Sequence, residues 1–132
     1  MKKTAAVLAM TGALSLGVAA PAFAGGNCGY RTSCTSLSNG TLSIFLSSSS
    51  TIDNTLSIVV SYKKTGGGTV SARFGRTYNG SNAWGGWFNQ SSGTTKSTTW
   101  TNGYSVSGCK SAVGLMEVSG QQTFQTPPVT SC

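Results

Sequence analysis

Apolar and polar residues alternate along much of this chain, and the longest alternating stretch spans residues 56–78. Apolar side chains recur at every second position over residues 56–62 and again over residues 70–74. A period of two is typical of a β-strand that buries one face. Residues 65–68, Thr-Gly-Gly-Gly, lie between the two segments and supply a flexible backbone for a reversal. We therefore predict a central hairpin here, with the other strands beside it.

Three Asn-Gly pairs mark further turns, because both residue types tolerate a positive φ. They are Asn39-Gly40, Asn79-Gly80 and Asn102-Gly103, and we predict the last pair as a two-residue hairpin loop. The C-terminal tail passes two prolines, which cannot donate to a ladder, so we expect it to lie along a sheet edge. The segments between these turns predict further strands over residues 41–47, 83–88, 97–101, 104–107 and 111–118.

The number and spacing of these segments indicate the fold class. About seven short strands, separated by regular turn signals and without a convincing helix, predict an all-β protein. We expect a single antiparallel β-sandwich or small barrel.

The first 24 residues have the three zones of a secretory signal peptide. Lys2 and Lys3 form a basic start, an apolar run follows, and Ala22-Phe23-Ala24 is a small-x-small cleavage site. We predict cleavage near Ala24 and a secreted single domain over residues 25–132. No later apolar run is long enough for a transmembrane segment. Residues 25–38 contain few apolar side chains, and we expect them to form an extended N-terminal arm.

Four cysteines in an exported chain of this size predict two disulfides. We favour Cys28–Cys34, which closes a small loop, and Cys109–Cys132, which ties the tail to the start of a strand. The alternative joins each N-terminal cysteine to a C-terminal one, and the spacing does not choose between them. A metal site is disfavoured, because the chain has no histidine and the Cys28–Cys34 spacing is too wide for a ligand pair.

Few side chains are available for catalysis. The chain has no histidine and two acidic residues, Asp53 and Glu117. A Ser-His-Asp triad is therefore excluded, and a carboxylate pair would need a turn residue to meet a strand residue. Ser and Lys residues are present, but no motif marks an activated pair. We predict that the protein is not an enzyme and uses no cofactor.

The aromatic residues are the strongest candidates for a binding site. Trp84-Gly85-Gly86-Trp87-Phe88 places three aromatic side chains around two glycines, with Tyr78 shortly before them. In a regular strand Trp84 and Phe88 would share one face, with Trp87 on the other. These residues have two interpretations: they fill a small core, or they form an exposed surface for sugar rings or a protein partner.

Basic residues add a second candidate surface. After cleavage the chain contains seven Lys and Arg residues and two acidic residues, which gives a net charge of +5. Arg73 and Arg76 lie on one strand, with Arg73 on the face opposite Phe74. They could bind an anionic polymer of the cell envelope, such as a wall teichoic acid, or they could serve solubility alone. Binding of cell-wall glycan would instead use the aromatic residues. No nucleic-acid motif is present, so we expect no nucleic-acid partner.

The signal peptide, the four cysteines and the segments Val113-Gly114-Leu115 and Gly120–Pro128 resemble small secreted β proteins of actinobacteria. Some proteins of this loose group are adaptor subunits of secreted toxin particles. The resemblance implies a non-catalytic protein that binds another exported protein, as adaptor or inhibitor. A carbohydrate or cell-wall binding module and a small basic antimicrobial protein are the alternatives.

Overall fold

The computed structural model describes residues 25–47, 55–103 and 110–130. These ranges form eleven β-strands in two antiparallel sheets and no helix, which confirms the predicted all-β sandwich. Sheet A contains, in hydrogen-bonded order, β1 (Gly26–Gly29), β2 (Thr32–Leu37), β3 (Gly40–Ser47), β4 (Thr55–Lys64) and β8 (Thr94–Gly103). Sheet B contains β5 (Val70–Tyr78), β6 (Ser81–Trp84), β7 (Phe88–Gln90), β9 (Ser111–Val118), β10 (Thr123–Gln125) and β11 (Val129–Thr130).

Sheet B is organised around two long strands. Its order is β10-β9-β5-β6, while β7 also pairs with β5 and β11 also pairs with β9. The core lies between the two sheets and is built from the alternate positions that the sequence pattern selects. Burial of one such aliphatic or aromatic side chain contributes about 1.5–3 kcal/mol. The buried residues of the long strands include Leu42, Ile44, Leu46, Leu56, Ile58, Val60, Tyr62, Ala72, Phe74, Met116 and Val118.

The predicted central hairpin is wrong. Strand β4 pairs with β3 and β8, whereas β5 pairs with β6, β7 and β9 in the other sheet. Residues 65–69 therefore carry the chain across the sandwich. The N–H groups of Thr65 and Gly66 both donate to the Asn39 carbonyl, at 2.8 and 3.3 Å. The glycine-rich segment thus contacts the β2–β3 turn. The hairpin prediction failed because two strands that bury their faces in one core need not be neighbours in one sheet.

The three Asn-Gly pairs have different outcomes. Asn79 and Gly80 form the two-residue turn between β5 and β6, with φ angles of 51° and 77°. Asn39 lies in the β2–β3 turn, but Gly40 already belongs to β3. Asn102 and Gly103 do not form a turn, because they continue β8 and pair with β4. The predicted strand over residues 104–107 lies outside the described residues.

The N-terminal segment belongs to sheet A instead of projecting from it as an arm. Strands β1 and β2 form a hairpin, and β2 also pairs along β3. The predicted Cys28–Cys34 disulfide closes this hairpin, with the Cα atoms 5.9 Å apart. Cys109 and Cys132 lie outside the described residues. On the other sheet, β10 and β11 both pair with β9, so the tail follows an edge as predicted.

A buried glutamine is one of the polar side chains that link the two sheets. Gln90 at the end of β7 is 1% exposed. Its Nε2 donates to the Tyr62 carbonyl at 2.9 Å and to the Thr94 carbonyl at 3.0 Å. A buried amide keeps its place only when its donors are satisfied, so this residue fixes the position of one sheet on the other.

Candidate binding surface

Three of the predicted binding residues meet on the outer face of sheet B. Arg73 of β5 points away from the core, opposite the fully buried Phe74. Trp84 ends β6, and Trp87 lies in the segment between β6 and β7. With Glu117 of β9, which pairs with Arg73 across the sheet, they form a group that we call the Trp–Arg cluster.

A β-bulge places both tryptophans on this face. Before the bulge, Gly75 pairs with Trp84. After it, Ala72 pairs with Phe88. Two residues of β5 therefore lie opposite the three residues 85–87, and the extra residue reverses the alternation of faces. The expectation that Trp84 and Phe88 share a face is therefore wrong.

The aromatic residues of this segment divide between the two predicted roles, core packing and an exposed surface. Phe88 points inward, and its ring centroid is 4.9 Å from that of Phe74. Trp84 is 37% exposed and Trp87 is 49% exposed. One aromatic side chain of the segment thus serves the core, and the two tryptophans form a surface.

Arg73 lies between the two exposed rings. Its guanidinium carbon is 4.5 Å from the ring centroid of Trp84 and 5.2 Å from that of Trp87. A guanidinium at this distance is attracted to the ring face by about 0.5–1 kcal/mol at an exposed site. The same group binds Glu117, with Nε and Nη2 each 2.8 Å from Oε1. These contacts hold the arginine in one position.

Trp84 rests directly on the backbone of the sheet. A Cβ atom at Gly75 would lie only 2.6 Å from Cε3 of the Trp84 ring. The absence of a side chain at Gly75 therefore lets the ring lie against β5. Leu115 pairs with Gly75 on the other side, and it is only 8% exposed although it points away from the core. The tryptophan surface is therefore packed onto the sheet.

The other two predicted binding residues are not on this surface. Tyr78 is 7% exposed and belongs to the core cluster between the sheets. Arg76 is 8% exposed and donates from Nη1 to the Ser81 carbonyl at 2.9 Å. Both point inward because they lie an even number of positions from Phe74 on β5. Their charge and aromaticity suggested a common surface with Arg73. The alternation of faces along β5 instead separates them from it.

A further exposed aromatic side chain lies outside the predicted set of binding residues. Tyr30 in the β1–β2 turn is 81% exposed, and the Arg31 guanidinium lies 5.9 Å from its ring centroid. The sequence signal for this exposure is the position of Tyr30 in the short loop between Cys28 and Cys34, which form a disulfide. Arg31 has a positive φ of 52°, which is uncommon for a residue other than glycine.

The described ranges show few groups suited to other chemistry. They contain no set of three or more His, Cys, Asp or Glu side chains that could hold a metal ion. They also contain no long apolar helix of the kind that spans a bilayer. Glu117, the acidic residue of these ranges, is engaged by Arg73.

Comparison with protein-family models, curated proteins and solved structures gives no significant match.

Proposed function

We propose that this protein is a secreted, non-catalytic binding protein that engages another exported protein through the Trp–Arg cluster. The observation that carries the proposal is the pair of exposed tryptophan rings with Arg73 held between them. Tryptophan and arginine are the residue types most enriched among those that dominate binding energy in protein interfaces. Their juxtaposition on one face supports a role in binding.

The rigidity of the cluster also supports this role. Arg73, Trp84 and Glu117 all lie on strands, and the contact between Trp84 and Gly75 limits the movement of the ring. Side chains that are already ordered before binding lose little conformational entropy when a partner covers them. A surface of this kind therefore converts more of its contact energy into affinity than a mobile loop does.

The chemistry of the cluster suggests the chemistry of the partner. A guanidinium has five N–H donors, and the bonds to Glu117 use those on Nε and Nη2 of Arg73. A partner carboxylate beside apolar side chains would complement the arginine and the two rings. The net charge of +5 that remains after the predicted cleavage would also speed the approach of an acidic partner.

A carbohydrate ligand is the second candidate, and the 49% exposure of Trp87 favours it. Sugar rings stack on the flat faces of tryptophan. Arg73 already lies over one face of this ring, at 5.2 Å, which leaves less aromatic surface for a sugar. Protein binding therefore fits the geometry better.

The basic residues give weaker support to the antimicrobial alternative. Lys64 and Arg76 are buried, and Arg73 is paired with Glu117. Less of the positive charge is therefore available for an anionic envelope than the sequence suggests.

The test compares Trp87→Ala with the matched control Phe45→Ala. Phe45 is 41% exposed on the outer face of sheet A. Its replacement by alanine therefore removes a comparable amount of exposed aromatic surface away from the cluster. Tagged wild-type protein first captures partners from the culture supernatant, and mass spectrometry identifies them. The identified protein is then purified and titrated against wild type and both variants.

We expect Trp87→Ala to weaken binding at least about 30-fold, which corresponds to the 2 kcal/mol of a hot spot. Phe45→Ala should leave the affinity within about twofold of wild type. The Trp87→Ala variant should lose only about 1–2 kcal/mol of unfolding free energy, because the ring is half exposed. Equal affinity of both variants would refute the proposal, and retention of wall glycan alone would favour the carbohydrate alternative.

A further inference from the structure

A cavity of about 100 Å³ lies between the two sheets, away from the Trp–Arg cluster. Its apolar lining comes from Leu37 of sheet A and from several side chains of sheet B. Exposed residues such as Asn39 and Gln121 also line it, so it reaches the surface. The apolar residues from sheet B are Val70, Met116, Val118 and Phe124.

A buried lysine also lines this cavity. Lys64 at the end of β4 is 2% exposed. Its Nζ donates to the Gly66 carbonyl at 2.5 Å. An ammonium group has three N–H donors, and a buried positive charge is costly unless it is paired. The lysine therefore has capacity for an anionic partner inside the cavity.

The described part of the chain does not supply that partner. Its acidic residue, Glu117, is bound to Arg73 on the outer face of sheet B. The other acidic residue of the sequence, Asp53, lies outside the described residues.

We propose that this cavity binds a small carboxylate with a short apolar chain, with the carboxylate on Lys64 and the chain against Met116 and Val118. The volume limits the size: a dry cavity of about 150 Å³ holds benzene, so about 100 Å³ that opens to the surface suits an aliphatic acid of about three or four carbons. This site is independent of the Trp–Arg cluster and of the function proposed for it.

Tyr62 contributes a neutral side chain to the cavity wall. Burial raises the pKa of the Tyr62 phenol above its ordinary value, so this wall of the cavity stays neutral near pH 7. Lys64 is the basic side chain among the residues that line the cavity.

Butyrate is a suitable probe, and the Met116 methyl group is a suitable reporter. Met116 lines the cavity at 1% exposure. The other two methionines of the sequence, Met1 and Met10, lie in the predicted signal peptide. The secreted protein labelled with ¹³C at the methionine methyl is titrated with butyrate, with the neutral butyramide and with acetate, which lacks the apolar chain.

We expect butyrate to shift the Met116 methyl resonance in a saturable way. Butyramide and acetate should each bind at least about tenfold more weakly, because one loses the charge-assisted bond and the other the apolar contact. These comparisons use the unmodified protein, so they do not depend on the folding of a variant. Equal binding of butyramide, equal binding of acetate, or no shift at about 100 mM butyrate would each overturn the proposal.

A pair of neighbouring lysines supplies a matched control. Lys64→Met should lower the affinity for butyrate at least about tenfold. Lys63→Met changes an exposed lysine on the opposite face of the same strand, and it should leave the affinity within about twofold. The same loss in both variants would show that the general positive charge, and not Lys64, attracts the ligand.

Discussion

Replacement of Gly75 by alanine should lift Trp84 away from sheet B. The new Cβ atom would lie 2.6 Å from Cε3 of the ring, whereas ordinary contact begins at 3.4 Å, so the ring must retreat by about 0.8 Å. Overpacking of this kind costs about 1–3 kcal/mol in a closed core. Trp84 is 37% exposed and has room to move outward. We therefore expect the lower end of that range, about 1 kcal/mol of unfolding free energy.

Gly86→Ala is the matched control for this substitution. It lies in the bulge that follows Trp84, a Cβ atom there would meet nothing within 4 Å, and neither glycine has a positive φ. Its unfolding free energy should stay the same or rise by up to about 1 kcal/mol, because alanine restricts the unfolded chain. Urea unfolding followed by circular dichroism measures both variants.

The position of the ring can be measured separately from stability. The indole N–H resonance of Trp84, assigned by comparison with Trp84→Phe, should shift in Gly75→Ala and stay unchanged in Gly86→Ala. If the two alanine variants have equal stability and the same indole resonance, the contact between Trp84 and Gly75 does not support the surface, and the reasoning is refuted.

Two further predictions concern the core. Gln90→Leu removes the donors to the Tyr62 and Thr94 carbonyls and should lower the unfolding free energy by about 1–2 kcal/mol, as measured by urea unfolding. Gln122→Leu, at an exposed position, is the control and should change the unfolding free energy little. Burial raises the pKa of Tyr62, so above about pH 10 the unfolded chain releases this proton before the folded chain does and stability should fall with pH. Tyr62→Phe should reduce that alkaline loss, and an identical decline in both proteins between about pH 8 and 11 would contradict this.

The local pattern predicted the strands and their buried faces well. The alternation at residues 56–62 selects side chains that are buried in β4, and the strand over residues 111–118 is β9. The Asn79-Gly80 turn was also predicted, because its positive φ angles are a local property of the two residues. Each of these features depends on short-range sequence alone.

The partners of the strands could not be predicted in the same way. Alternation shows which face of β4 is buried but not whether β5 lies beside it or across the core. The bulge at residues 85–87 adds one residue against β5, which changes the face of Trp84 relative to Phe88. The burial of Lys64 likewise depends on side chains from both sheets. These features arise from contacts between distant segments, so the candidate surface was only partly predicted.

The contacts between β2 and the C-terminal tail affect the order of folding. Ser33 Oγ donates to the Pro128 carbonyl at 3.0 Å, and Thr35 Oγ1 donates to the Gln125 carbonyl at 3.1 Å, across 95 and 90 positions of the chain. Synthesis releases the N-terminus first, so these hydroxyl groups remain solvated until the final residues emerge. These two contacts can therefore form only late in synthesis. We expect such contacts between distant segments to slow folding, which would favour the predicted export of a chain that has not yet folded.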